Sequence, residues 1–354
     1  MSQLFSPIQF RDLKVKNRIF VSPMCQYSAK DGKAQQWHLI HLGSRAVGGA
    51  GLVMAEATAV SPDGRISLAD LGLWNEEQAM ALRPITKFLR SQGTISAIQL
   101  AHAGRKAGTH IPWEGGKPLS SEEGAWIPIG PSALSYKDNY QDPAEMSEYD
   151  MQKTQQDFEN ASRLALMAGF QAIEIHMAHG YLLHEFLSPI SNQRTDGYGG
   201  SLENRMKFPL RVAKNLRLMW PGELPVFVRI SATDWIEGGW SIEDSVIFSR
   251  ELKKVGIDLI DVSSGGLAPQ QQIKVGPLYQ VPMAEKIRKE VKIMTGAVGM
   301  IRKAQEAEQI LVDGKADVIF MAREFLRNPY WPLHAAQELG VNLSWPPQYE
   351  RAKD

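Results

Sequence analysis

The sequence has little cysteine, no net charge and no long apolar run. Of its 354 residues only Cys25 carries a thiol, so no disulfide can close within the chain and the reducing cytoplasm is the expected setting. The 39 Lys and Arg residues are balanced by 39 Asp and Glu, without a basic block or a like-charged tail, which excludes the electrostatic footprint of a nucleic-acid binder. Ionisable residues interrupt every apolar run before membrane-spanning length. The first residues also lack the apolar core of a secretory signal, so no membrane partner is expected. Internal repeats and low-complexity segments are absent too. These exclusions leave a soluble protein whose length suits one large α/β barrel or two medium domains.

Strand-like apolar segments recur along the chain, each followed by a helical pattern. They are Ile19–Met24, Gly51–Val60, Ile95–His102, Ala172–His176, Val226–Ser231, Leu259–Ser263, Lys292–Thr295 and Asp317–Met321. This alternation predicts a closed parallel (β/α)8 TIM barrel. Near-continuous runs such as Val-Phe-Val-Arg-Ile suit strands buried on both faces. Ser147 and Ser241, each with an acid three residues on, predict helix N-caps. Gly93, Gly169, Gly256, Gly314 and Gly340 stand where helices should stop. Ile8–Arg18 is expected to form a short hairpin closing the lower end of the barrel.

Residues 104–146 break the pattern after the third strand, with many Gly, Pro and Ser and with Trp113 and Trp126. A long insertion in a compact domain is usually functional, and this one is expected to lie over the barrel mouth as a lid. Residues 1–354 are thus read as one domain, with a lid at about 104–146 and a C-terminal arm at about 341–354.

Parallel α/β folds keep their chemistry at the C-terminal ends of the strands. Residues 171–181 put His176, His179 and Tyr181 at the end of the fourth strand. Two imidazoles and a phenol there can bind a carbonyl or nitro oxygen and deliver a proton. The same pair suits hydrogen-bonded core histidines, or metal ligands completed by His102 or His184. The first strand offers Pro-Met-Cys where barrel zinc hydrolases need His-x-His, so no metal is assigned. Cys25, beside Tyr27, is either a buried small hydrophobe or a sulfur touching a redox ring, with no signature of a thiol nucleophile.

Gly296 and Gly299 after the seventh strand and Arg323 after the eighth occupy the usual phosphate position of this fold. The plainer alternative is that the glycines serve the turn and Arg323 pairs on the surface. Arg229 sits in a strand that should be buried, and a buried guanidinium needs negative charge beside it. Its partner is either Glu56 or Asp261 in an ion pair, or a bound cofactor.

Taken together, Ser22-Pro-Met-Cys-Gln-Tyr27, Gln99-Leu-Ala-His-Ala-Gly-Arg-Lys106, His176-Met-Ala-His-Gly-Tyr181, Glu185-Phe-Leu-Ser-Pro189, Asn192-Gln-Arg-Thr-Asp-Gly-Tyr-Gly-Gly-Ser201 and Arg323-Glu-Phe-Leu-Arg-Asn-Pro-Tyr-Trp331 resemble the old yellow enzyme family of FMN-dependent ene-reductases. The closest likeness is to its bacterial, cysteine-bearing, xenobiotic reductase-like branch, and it runs from Leu4 to Arg351. The resemblance implies non-covalent FMN, with Ser22, Pro23, Met24 and Cys25 along the ring and Ala57 and Gln99 at its pyrimidine edge. It puts Arg229 where charge gathers on reduction, and Gly299, Ala322 and Arg323 at the phosphate. Tyr27, His176, His179 and Tyr181 would face the substrate, with Tyr181 as proton donor.

The implied activity is that of an NADPH dehydrogenase, taking NADPH or NADH and reducing small electron-poor alkenes in a ping-pong cycle. The resemblance also implies a homo-oligomer, dimer or tetramer, in which Arg351 reaches a neighbour's site, although the tail ends Ala-Lys-Asp where the family pattern has an aromatic residue. A metal-dependent hydrolase on the same barrel and a non-catalytic flavin-binding protein are the competing readings.

Overall fold

Eight apolar segments pair edge to edge in parallel and close into a barrel. In chain order the barrel strands are Ile19–Val21, Leu52–Ala59, Ile95–Ala101, Ala172–Met177, Val226–Ser231, Leu259–Ser263, Met294–Ala297 and Val318–Met321. The computed structural model describes residues 2–353; Met1 and Asp354, the ends of the expected domain and arm, lie outside the described residues. Helices Gln36–Val47, Glu76–Ser91, Glu148–Ala168, Leu202–Met219, Ile242–Lys254, Val281–Val291, Ala304–Val312 and Trp331–Glu338 return the chain outside the barrel. The molecule is therefore the (β/α)8 barrel expected.

Two strands differ from expectation by more than one residue at an end, each for a local reason. The first stops at Val21 because Pro23 has no N–H to offer a ladder. The seventh begins at Met294, since Lys292 adopts a left-handed φ of 58° and caps the preceding helix. Ser147 and Ser241 make the expected reciprocal caps with Asp150 and Asp244. The five helix-stop glycines all have positive φ.

Alternation along the strands sorts the interior from the helix-facing shell. Ile173, Ile175 and Met177 join the core between barrel and helices, as do Val226, Val228 and Ile230. Their neighbours point inward, and the inside changes character with height. The lowest level is apolar, with Phe20, Leu52, Ala97, Ala172, Phe227, Leu259 and Phe320 in one cluster. Two residues further along the strands lie Gln99, Glu174, Arg229 and Asp261, all buried. His176, Ser231 and Ser263 follow at the rim.

An antiparallel hairpin, Ile8–Phe10 with Leu13–Val15, closes the bottom. Phe10 packs edge-on against Phe227 with ring centroids 5.1 Å apart and lies 6.2 Å from Phe20. After the third strand, residues 104–146 form three short 3-10 turns and a two-stranded pairing of Ile129–Gly130 with Ala144–Glu145. Phe10 is 2% exposed and seals the apolar floor. Phe10→Ala is therefore expected to destabilise the protein by about 3–5 kcal/mol. The measurement is the urea midpoint; an unchanged midpoint rules out the hairpin as a structural plug.

Candidate active site

The fourth strand delivers its histidines to the rim with their donors arranged in advance. His176 Nδ1 accepts the Ala178 N–H at 3.3 Å, and His179 Nε2 meets Ser263 Oγ at 2.8 Å. Nε2 of His176 and Nδ1 of His179 are left as the ring nitrogens without a protein partner. The two rings stand perpendicular, 5.2 Å apart, and Tyr181 lies 5.0 Å from His176. Burial, then the positive charge of Arg229, holds both imidazoles well below their ordinary pKa. They are neutral; His176, whose Nδ1 accepts, offers its Nε2–H outward, and His179 turns its Nδ1 outward. Burial pushes the Tyr181 phenol well up, so it keeps its proton.

Backbone strain is built into this loop. His179 has φ of 59°, a conformation that costs a non-glycine residue energy. Three contacts hold it: its N–H donates to Ser231 Oγ at 2.9 Å, its carbonyl accepts from Lys106 Nζ at 2.8 Å, and Gly266 packs so closely that a Cβ there would lie 2.6 Å from His179 Cα. Lys106 also donates to the Gly266 carbonyl and lies 4.2 Å from the Tyr136 ring centroid. Burial pulls its ammonium down to about 7.

The loop after the first strand carries Cys25. A register shift between Ala55 and Ala57 frees Glu56 from the ladder. Its carboxylate accepts the Gln26 N–H at 2.7 Å and approaches His38 Nε2 at 3.2 Å. Tyr27 has φ of 47°, and Trp113 of the insertion packs edge-on against its ring at 5.8 Å. Burial pushes the Cys25 thiol well above its ordinary value, with Glu56 and Asp70 adding to the effect. A protonated thiol suits the redox-ring reading and argues against a nucleophile.

Between these two loops lies the charged level of the interior. Arg229 Nε is 3.2 Å from Asp261 Oδ2, while Glu56 is engaged with His38. Asp261, of the two partners considered, is thus the one that pairs. The guanidinium donates no hydrogen bond among the described residues. At the far side of the rim, Gly299, Ala322 and Arg323 line one cleft with Gln280 and Ser263. Gly299 has φ of 119° and its Cβ would meet Gln280, so only glycine suits it. Arg323 is exposed and makes no ion pair among the described residues. Gly296 is a correction: it lies inside the seventh strand, and a Cβ there would sit 2.5 Å from the Phe320 ring. It packs against the core and does not line the cleft with Gly299 and Arg323.

The chain matches the model of the NADH:flavin oxidoreductase / NADH oxidase family over residues 3–342. It is 49% identical over 352 residues to an NADPH dehydrogenase of Geobacillus sp. (strain WCH70), covering 99% of this chain and 98% of that protein. It belongs to this family, the old yellow enzymes. Among solved structures, morphinone reductase superposes with a TM-score of 0.80 at 26% identity, covering 98% of this chain and 92% of that one. A 2-naphthoyl-CoA reductase complex gives a TM-score of 0.86 at 26% identity over 96% of this chain; this chain spans 52% of that longer one.

As an old yellow enzyme, the protein is an FMN-dependent oxidoreductase that takes its reducing equivalents from NAD(P)H. The residues present fit FMN. A guanidinium without hydrogen-bonded partners stands in the interior, and a glycine cleft beside an unpaired arginine suits a phosphate. Ser22 Oγ is buried without a hydrogen-bond partner beside Pro23 and Met24. Gln99 donates its amide to Glu174, its in-register neighbour, at 2.7 Å.

Lys106, Glu174 and Asp234 were given no role from the sequence, and Glu56 and His184 were weighed only as an ion-pair partner and a metal ligand. His184 lies 3.0 Å from Asp234 and accepts the Gly180 N–H at 2.9 Å, so it supports the histidine loop from behind and ligates no metal. The available signal was alternation: Glu174 stands two residues before His176 on one strand and shares its inward face. Arg351 lies exposed in a short turn, Glu350–Ala352, outside its own barrel, where Tyr349 stacks on Tyr330 at 5.9 Å. Nitrogen-15 NMR of the imidazoles is expected to find His176 and His179 neutral from pH 8 down to 5, below the ordinary histidine pKa of about 6.5. A charged imidazolium at pH 6 contradicts that arrangement.

Proposed function

We propose that this enzyme reduces the C=C bond of small electron-poor alkenes, α,β-unsaturated carbonyl compounds and nitroalkenes among them, with NAD(P)H and the alkene taking turns at one site. The observation that carries this reading is the pair of neutral imidazoles with one free ring nitrogen each, beside a phenol that retains its proton. Bound FMN supplies hydride transfer between the two substrates. His176 and His179 donate to the carbonyl or nitro oxygen of the alkene and stabilise the negative charge that grows there as its β-carbon is reduced. Tyr181 gives its proton to the α-carbon, and solvent restores it. Cys25 and Tyr27 face the same space, and the protonated thiol tunes the site without forming a covalent bond.

Pro23, Met24, Ala57, Gln99, Arg229, Gly299, Ala322 and Arg323 are assigned to the cofactor. Residues 104–146 are assigned as the lid, which the contact of Trp113 with Tyr27 supports. Arg351, remote from its own barrel's mouth, is assigned to the site of a neighbouring subunit in a homo-oligomer. This barrel, its lid and its arm form one cytoplasmic domain.

Anaerobic addition of NADPH should bleach the yellow protein, and an enone should restore the colour; a bleached protein that no activated alkene reoxidises refutes the proposal. His176→Ala and His179→Ala should keep FMN but bind phenols more weakly, each by roughly 1.5–3 kcal/mol for a lost charged hydrogen bond. Unchanged phenol affinity in both variants rules out the oxygen-binding role. Deleting the chain from Tyr349 onward should raise the KM for the alkene and leave FMN content intact. Unaltered kinetics, or a monomer by light scattering, excludes the shared site.

A further inference from the structure

The middle level of the barrel holds more charge than the proposed reaction uses. Glu174 and Asp261 are fully buried there with Arg229 and Gln99. Asp261 and Arg229 stand opposite each other in register on the sixth and fifth strands. Glu174 and Gln99 do the same on the fourth and third. The two carboxyl groups are treated differently. Asp261 has the guanidinium at 3.2 Å, although neither of its oxygens accepts a hydrogen bond among the described residues; Glu174 has no cation within ion-pair distance among them. Glu174 Oε1 accepts from Gln99 Nε2 at 2.7 Å, and Oε2 has no partner at all.

A carboxylate in the interior with no cation beside it is very costly, whereas the neutral carboxylic acid costs far less. No second cation reaches Glu174. Its register partner on the fifth strand is Phe227, and His176 above it on its own strand is neutral. The groups acting on it are Asp261, Arg229 and Gln99. Burial dominates and holds its carboxyl well above the ordinary range, with Asp261 adding to the rise and Arg229 and Gln99 opposing it. Burial also raises Asp261, but only to about 6, because Arg229 pulls it back.

We propose that Glu174 is a neutral carboxylic acid that positions Gln99, and that Asp261 is the single anion matching Arg229, so that this layer presents no excess negative charge to the FMN ring. An ionised Glu174 would leave the layer one negative charge in excess beside a ring that itself becomes negative on reduction, and reduced FMN would be disfavoured. Both residues are positioning residues; neither touches the alkene. The inference rests on FMN binding at this rim, which the yellow colour of the purified protein checks independently.

The test uses the FMN-loaded enzyme. Glu174→Gln preserves shape and neutrality, and should leave the ratio of reduced to oxidised FMN within twofold of wild type at any fixed potential between pH 6 and 8. Asp261→Asn removes the anion and should favour reduced FMN at least tenfold, a rise of about 30 mV for a two-electron couple. In the unmutated protein with carbon-13 glutamate, infrared spectra at pH 7 should contain an isotope-sensitive carboxylic-acid C=O band for Glu174 beside that of buried Glu185, whose carboxyl burial raises to about 8, and Glu174→Gln should remove the Glu174 component alone. Absence of any such band in the unmutated protein overturns the proposal even where a variant does not fold. So does a Glu174→Gln potential that rises as far as that of Asp261→Asn, or an Asp261→Asn potential that does not move.

Discussion

A guanidinium enclosed in a closed barrel has to be answered by negative charge, and most of this site follows from that requirement. Water cannot solvate Arg229 from below, where Phe10, Phe20, Phe227 and Phe320 form an aromatic floor. Closure also removes any free sheet edge through which solvent could enter. Asp261, in register on the next strand, supplies one partner, and the open rim above leaves the remaining N–H groups to a ligand. The same charge, together with burial, keeps His176 and His179 neutral. One buried cation thus sets both what the rim can bind and the protonation state of the groups that bind it.

Rigidity at the rim comes from strain held by surrounding contacts. His179 and Tyr27 both adopt left-handed backbone conformations, and each sits on a loop tied down from several sides. Lys106 bridges the His179 and Gly266 carbonyls, and the His184–Asp234 pair fixes Gly180. Glu56, expelled from its strand by the bulge, fixes Gln26. Such residues persist out of their favoured conformations only where neighbours over-determine them. The result is a preorganised set of donors that does not have to be assembled when substrate binds.

The comparisons separate what is general from what is particular to this chain. Morphinone reductase shares the barrel at 26% identity, so the scaffold tolerates extensive substitution. The short turns and the two-residue strand pair of residues 104–146, and the tyrosine stack that docks the terminal turn, lie outside the barrel. Loops and termini of this kind are free to vary because few packing contacts constrain them.

The alternation of apolar segments with helical patterns was enough to specify a parallel barrel, because strands buried on both faces need continuous β-branched runs. The six quoted motifs were enough to identify the family and to name His176, His179, Tyr181 and Cys25, and Arg229 stood out as a charge in an apolar strand. Both depend on local order along the chain. The interior level was not legible in that way. Whether Arg229 meets Glu56 or Asp261 depends on strand register and on a bulge at Glu56, and sequence spacing encodes neither. Gly296 reads as a loop glycine until Phe320, 24 residues further on, is seen packed against it. The protonation of Glu174 depends on how completely four strands exclude water around it. Sequence fixes which side chains alternate inward, but only barrel closure sets them at one height, within a few ångströms of one another and out of reach of solvent.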